Sequence, residues 1–286
     1  MQAIADIHEC RSAIRHMRAG GASMGFVPTM GALHEGHLSL IRAAKTRCDR
    51  VVVSIFVNPT QFGRGEDFAA YPRPIESDLA LCRGEGVELV FTPPPAAMYP
   101  PESRTVVHVG RLGDVLCGPF RPGHFDGVAT VVAKLFNIVP ADVAFFGEKD
   151  YQQLALIRRM AADLNLPIEV VGCPTIREPD GLAMSSRNAY LSPTERAQAA
   201  SISRGLFAAL DQAGRGETDP AKLTGVVREA VVSAGPVDTE YVDLVDADTL
   251  ERLARLDRRA RLCVAARIGR TRLIDNVAID PRGEHG

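Results

Sequence analysis

Two rhythms of apolar and polar positions alternate along the first two thirds of the chain. Continuous or nearly continuous apolar runs cover 24–27, 51–57, 87–91, 143–146 and 168–171, broken only at Ser54, Glu88 and Glu169. Runs this short and rich in β-branched residues predict strands covered on both faces. Between them, apolar residues return every three or four positions. Ile7, Ile14 and Met17 do so over 7–18, and Leu38, Leu40, Ile41 and Ala44 do so beyond Gly36. A helix is expected over 75–83, and another over 151–164. A further one carries Val128, Val131, Val132, Leu135 and Phe136, with Asp126 expected as its cap. Strand, helix, strand repeated in this way predicts an α/β fold with a Rossmann-like, doubly wound parallel sheet.

The rhythm changes after about residue 178. Ser192-Pro193-Thr194-Glu195 reads as an N-cap with Pro at the first helical position and Glu at the third, opening a long helix. Asp219-Pro220 starts another helix, and strand-like runs follow at 240–245, 262–268 and 272–274. Helices followed by strands predict a smaller C-terminal α+β domain. The expected division is 1–177 and 178–286, the second part acting as a lid. Residues 96–126 are irregular and rich in Pro and Gly; loops of that length in a compact domain are usually functional or disordered.

Composition narrows the classes. The chain has 286 residues, 46% hydrophobic and 24% charged, with a formal net charge of −2. That balance gives no electrostatic footprint for nucleic acid. Arg252, Arg255, Arg258, Arg259 and Arg261 alternate with Leu253, Leu256 and Leu262 and read as a solvated face. The six cysteines lie far apart, no apolar leader opens the sequence, and no run of eighteen apolar residues occurs. A cytoplasmic protein without a membrane anchor is expected.

Candidate chemistry gathers where predicted strands end. Polar clusters occupy 28–37, 58–61, 147–153 and 184–187. The carboxyl ends of parallel strands share one edge of a sheet, where α/β folds bind ligands. In the first cluster, Gly31 and Gly36 have the spacing of a phosphate loop. His37 and Leu38, however, replace its Lys and its Ser or Thr. The dinucleotide pattern is absent too. What remains is His34-Glu35-Gly36-His37, two imidazoles at a helix start, suited to donating to phosphate oxygens. Zincin spacing would need one residue more between the histidines, and no nearby Cys or His completes a metal site.

In the second cluster, Pro59 ends the strand pairing, so Asn58 and Gln61 emerge beyond its tip. In the third, Asp150 and Gln153 have capping-box spacing. Lys149 is unfavourable at a helix start unless an anion neutralises both. In the fourth, Met184-Ser185-Ser186-Arg187 offers hydroxyls, amides and a guanidinium suited to a pyrophosphate. Together the clusters bind anions and neutral polar groups, which suits phosphoryl or nucleotidyl transfer.

The string PTMGALHEGHLSLI resembles the H-x-G-H loop of the nucleotidyltransferase superfamily and, more closely, the signature of the pantoate–β-alanine ligase family. The RPGHF segment with Arg121 and His124, and the segments around Glu66 and Tyr71-Pro72-Arg73, are similar to that family as well. Pro140-Ala141 departs from it, where Gln-Pro is expected. The resemblance implies an ATP-dependent ligase that forms pantoyl adenylate and passes the acyl group to β-alanine. It implies ATP contacts from Met30, Gly31, Ala32, Leu33, His34, Glu35, Gly36 and His37. Further ATP contacts are implied from Gly147, Glu148, Lys149, Asp150, Ile176, Met184, Ser185, Ser186 and Arg187. Gln61 and Gln153, with Asn58 beside them, would hold pantoate, and Gln61 would also lie by β-alanine. His37 would donate a proton to the leaving group, with His34, Lys149 and Arg187 stabilising charge. The resemblance further implies a homodimer and Mg²⁺ carried mainly by the ATP phosphates, with Asp78 a weak candidate ligand. Two other readings share the same residues: a transferase that keeps the nucleotide in its product, and a non-catalytic nucleotide-binding protein.

Overall fold

The computed structural model describes residues 1–281. The chain divides into two compact units. The first comprises Met1–Gly113, Arg121–Glu148 and Gln153–Pro174; the second comprises Asp114–Phe120, Lys149–Gln152 and the chain from Thr175 onward.

In chain order the first unit contains β1 (Gln2–Ile4), α1 (Ile7–Met17), β2 (Met24–Thr29), α2 (Glu35–Arg47), β3 (Arg50–Ile55) and α3 (Ile75–Gly84). It continues with β4 (Leu89–Phe91), α4 (Pro95–Met98), α5 (His124–Ile138), β5 (Val143–Gly147), most of α6 (Tyr151–Asp163) and β6 (Glu169–Cys173). All six strands pair in parallel, in the order β1-β4-β3-β2-β5-β6. The order reverses direction at β2, between β3 and β5, which is the crevice where doubly wound sheets bind ligands.

Neighbouring residues of β2 show that both faces are covered, because successive side chains point opposite ways. Phe26 meets Phe136 of α5 edge to face, with ring centroids 6.4 Å apart. Val27 packs instead in the cluster of Ile41 and Ala44 from α2. Gly25 lets α2 lie close, since a Cβ there would stand 3.1 Å from the Ala44 Cβ.

Three sequence expectations need correction. The apolar pattern omits β1, because Gln2–Ile4 opens on a polar residue and belongs to no apolar run of strand length. The cap of α5 is Gly123, at φ 77°, and not Asp126, which lies in the first turn and accepts from His108 Nδ1 at 2.8 Å. A left-handed cap residue favours glycine, and the sequence Arg-Pro-Gly-His announces it. The long helix expected to end near 210 runs on to Gly214. At the departure, Pro140-Ala141, Arg18 donates to the Pro140 carbonyl at 2.6 Å, and Ala141 is buried.

The second unit contains α7 (Pro193–Gly214), α8 (Pro220–Ser233), β7 (Asp238–Asp246), β8 (Ala260–Ile268) and β9 (Thr271–Ile279). The strands form an antiparallel sheet in the order β7-β8-β9. Ser192 and Glu195 form the expected capping box. The core joins Ile202 and Leu206 of α7 and Val227 of α8 to Val242, Leu262 and Val277 of the sheet. Leu253, Leu256 and Leu262 are buried while Arg252, Arg255, Arg258 and Arg259 are exposed, as a solvated face requires; Arg261 departs, half-buried with its guanidinium 3.9 Å from the Tyr151 ring centroid. All six cysteines are buried and unpaired. Among the described residues, no helix is long and apolar enough to cross a membrane.

Candidate active site

The loop after β2 is built from its backbone outward. Pro28 and Thr29 pair with Ser54 and Ile55, so β2 and β3 end together. Gly31 and Ala32 then take positive φ, 83° and 50°. The carboxylate of Asp78 on α3 is almost wholly buried and accepts from Ala32 N at 2.9 Å and Leu33 N at 2.8 Å. A cavity of about 350 Å³ borders Met30, Gly31 and Asp78. The two amide bonds constrain the loop beside it. Burial pushes the Asp78 carboxyl above its usual range, and the amide bonds pull the other way. Asp78, expected only as a weak metal ligand, is thus a structural part of the loop.

His34 caps α2, and its ring and that of His37 lie 4.2 Å apart. His34 Nδ1 accepts from Gly36 N at 3.2 Å, and His37 Nδ1 accepts from His34 N at 3.3 Å. A ring nitrogen that accepts carries no proton. In the neutral rings the proton therefore sits on Nε2, which fixes the tautomer. Each imidazole serves two purposes: one nitrogen satisfies an orphan amide of the helix start, and the other is an N–H donor. Reading these histidines only as donors misses the capping half.

Asn58 and Gln61 flank a single 3-10 turn, Pro59–Gln61, beyond β3. Asn58 is 1% exposed. Its Nδ2 donates to Gln61 Oε1 and to the Gly127 carbonyl, both at 3.1 Å. Its Oδ1 accepts from Tyr99 OH at 2.9 Å and from Thr60 Oγ1 at 3.0 Å. Both amide hydrogens are therefore committed inside the protein, and Asn58 acts by orienting Gln61. With Oε1 turned to Asn58, Gln61 presents its Nε2, which lies 3.0 Å from Met30 Sδ. Gln61 thereby joins the 28–37 loop to the tip of β3.

Gly147 ends β5 and Glu148 follows it on the same sheet edge, and Gln153 lies in α6, all within the first unit. The structure gathers in this unit His34, His37, Met30, Asn58 and Gln61, with Gly147, Glu148 and Gln153 on β5 and the elements that follow it.

The remaining candidates belong to the second unit. Met184 N donates to the Ile176 carbonyl at 2.9 Å, and Arg177 bridges Ala183, so a short antiparallel turn sets Ile176 beside Met184. Ser185 caps the following turn by accepting from Arg187 N at 3.3 Å, with Ser186 its first residue. Lys149 Nζ lies 3.8 Å from Asp150 Oδ2, which partly offsets the charge at a helix start. Sequence reasoning misses the pair that organises this half. Asp275 takes two hydrogen bonds from the Arg177 guanidinium, at 2.6 and 3.0 Å. Its neighbour Asn276 donates to the Lys149 carbonyl at 3.0 Å. Both lie on β9, where an Asp-Asn within an apolar run is a visible interruption. Their partners stand about a hundred residues away in sequence, which pattern reading does not reach.

Among the described residues, no group of three or more His, Cys, Asp or Glu is arranged to hold a metal ion. The arrangement instead supplies N–H donors on two imidazoles and an oriented amide at the crevice of a parallel sheet. That is equipment for holding an anion and a small polar substrate.

Comparison with known proteins agrees with this chemistry. The family model described as pantoate-beta-alanine ligase matches residues 2–278. A pantothenate synthetase of Syntrophotalea carbinolica is 54% identical over 276 residues, covering 96% of this chain and 98% of that one. Pantothenate synthetase 1 of Bradyrhizobium diazoefficiens is 54% identical over 281 residues, covering 98% of both. The crystal structure of pantothenate synthetase from Thermus thermophilus superimposes with a TM-score of 0.92 at 46% identity, over 97% of this chain and 99% of that one. The Francisella tularensis pantoate-beta-alanine ligase, complexed with beta-gamma ATP and beta-alanine, gives 0.79 at 35% identity, over 97% of each chain. A match that runs nearly end to end, in sequence and in fold alike, leaves one conclusion: the chain belongs to the pantoate–β-alanine ligase family.

Proposed function

We propose that the chain joins pantoate to β-alanine at the expense of ATP, through a pantoyl adenylate. The observation that carries this reading is the pair of Nε2–H donors fixed on His34 and His37 beside the oriented Gln61 amide. In the first step the pantoate carboxylate oxygen attacks the α-phosphorus and pyrophosphate leaves. A carboxylate is ionised at neutral pH, so this step needs no general base. It needs donors where negative charge grows, and a neutral imidazole N–H supplies one. In the second step the β-alanine amine attacks the acyl carbon, AMP leaves, and the amine gives up a proton.

On this reading ATP is held by residues 30–37, 147–150, Ile176 and 184–187. His37 is the donor to the leaving group, with His34, Lys149 and Arg187 offsetting charge. Gln61 and Gln153 bind pantoate, Gln61 through the donor end of its amide, and Asn58 acts through Gln61. Magnesium carried with the nucleotide would be held by phosphate oxygens and water, as suits a small cation that dehydrates reluctantly, and Asp78 is already engaged with two loop amides.

Pyrophosphate release tests the assignment. With ATP and pantoate alone, a burst near one equivalent per site is expected, and turnover should begin when β-alanine is added. Free AMP should then match pantothenate mole for mole. AMP retained in the product would favour a nucleotidyl transfer instead, and tight ATP binding without pyrophosphate release would favour a non-catalytic protein.

Residues 1–177 are the nucleotide- and pantoate-binding part on this reading, and 178–286 the lid, because the 176–187 segment carries ligands. Small-angle scattering should change when ATP and pantoate are added together, and superimposable profiles would sink the lid. The homodimer implied by the family is checked by sedimentation: a species near 30.8 kDa would refute it. A cytoplasmic location suits six buried, unpaired cysteines.

A further inference from the structure

The 3-10 turn that carries Gln61 is held from its backbone by a network that the reaction itself does not use. His124 Nδ1 lies 2.8 Å from the Gln61 carbonyl oxygen. A carbonyl only accepts, so Nδ1 carries the proton and donates. His124 Nε2 lies 3.0 Å from Arg121 Nη1 and accepts from it. Arg121 also reaches the Gln61 carbonyl with Nη2 at 3.4 Å. The guanidinium is in turn held by Glu66 through a two-point fork, Nε to Oε1 at 2.8 Å and Nη2 to Oε2 at 2.6 Å. The Arg121 side chain is 13% exposed and that of Glu66 24%. Burial pushes the Glu66 carboxyl up, but the hydrogen bonds and charge of Arg121 outweigh it and hold it below its usual range.

We propose that Glu66, Arg121 and His124 form a positioning unit that sets the Gln61 backbone, and through it the amide that recognises the hydroxy acid. Arg121 donates on one side to Glu66 and on the other to His124, and His124 donates to the Gln61 carbonyl. Glu66 fixes the plane of Arg121, Arg121 fixes the tautomer of His124, and His124 fixes the carbonyl of Gln61. Asn58 fixes the other end of the same residue, its side-chain oxygen. Gln61 is therefore pinned at both ends, and its Nε2 is left pointing in one direction. The sequence alone assigns no task to Arg121 or His124, although both sit in the Arg-Pro-Gly-His segment. The segment's glycine starts α5, which puts His124 at the first helical position, against the turn.

The inference rests on Gln61 binding the acid, so the experiment separates the two. Steady-state constants are measured for Gln61→Ala, His124→Ala, His124→Asn and Arg121→Ala, varying pantoate and ATP in turn. An asparagine amide places its N–H near the position of Nδ1, so it restores the bond to the Gln61 carbonyl. His124→Ala is expected to raise KM for pantoate by about tenfold or more, the loss of a hydrogen bond in a charge-linked chain. KM for ATP should stay within about twofold, since Asp78 still holds the loop amides of Ala32 and Leu33 when the Gln61 contact with Met30 shifts. His124→Asn should return the pantoate KM to within about threefold of the parent, as one restored bond of ordinary strength implies. Wild-type constants for His124→Ala would overturn the proposal, as would an equal rise for ATP and pantoate, or no recovery in His124→Asn. An unchanged pantoate KM in Gln61→Ala would instead overturn the reading of Gln61 itself. Should Arg121→Ala fail to fold, the pair at 124 still decides, because Asn supplies a donor to the Gln61 carbonyl and Ala does not.

Discussion

Replacing His37 with alanine is expected to lower kcat by roughly 10²-fold or more, the usual cost of removing one preorganised donor to developing charge. The substitution removes two things, however. It deletes the Nε2–H donor, and it strips the His34 amide of its acceptor at the start of α2. Losing an N-cap partner costs about 1 kcal/mol of stability, which must not be mistaken for chemistry. His37→Asn separates them, because its side-chain oxygen falls near Nδ1 and can still accept from the His34 amide. Both variants should show the same loss of kcat in pyrophosphate release at saturating substrates, while only the alanine variant unfolds earlier in denaturant. A normal rate in His37→Asn would remove the imidazole from the reaction and leave it as a cap.

Gly127→Ala is expected to be damaging in a place where the same change would normally help. Gly127 lies inside α5, and alanine in a helix interior is favoured by about 1 kcal/mol. But a Cβ on Gly127 would stand 2.4 Å from the Thr60 carbonyl oxygen, 2.6 Å from its carbon and 2.7 Å from Gln61 N. These are backbone atoms and cannot swing aside. Overpacking of this kind costs about 3 kcal/mol, so the penalty outweighs the helical gain. The turn must move, and with it the Gln61 amide and the Asn58 bond to the Gly127 carbonyl. Denaturant unfolding should show a net loss of about 2 kcal/mol. The KM for pantoate should rise by more than tenfold, as a misplaced binding group predicts. A more stable variant with unchanged constants would mean that α5 and the turn slide apart readily.

The parallel sheet is legible in the sequence because β2, β3, β5 and β6 each carry a run long enough to hold a period. β1, Gln2–Ile4, belongs to no such run, whereas the equally short β4 sits inside the run 87–91. The loop histidines are legible by spacing, because a helix start is a local event. Their Nδ1 capping role is not, since histidine is an uncommon cap. Asn58 shows a subtler limit. Its place beyond β3 is visible, but its two donors end on Gln61 and Gly127, and the second lies 69 residues further along. Asp78, Glu66, Asp275 and Asn276 are hidden for the same reason. Each works across a separation that no local pattern records, even where, as at Asp275-Asn276, the interruption of an apolar run is visible. The left-handed cap at Gly123 is written in the sequence but is masked by Asp126, which resembles a cap and lies inside the helix.

The Asp78 carboxylate carries a consequence for how nucleotide should bind. A loop left to itself would sample many conformations, and a ligand that ordered it would surrender affinity to the lost entropy. Here Ala32 and Leu33 are already tied to a buried carboxylate, with Gly31 and Ala32 in left-handed conformations. The cost of order falls on folding rather than on each catalytic cycle. The heat capacity of nucleotide binding should therefore reflect surface covered by the ligand itself, without the larger negative term that accompanies a segment folding around its guest.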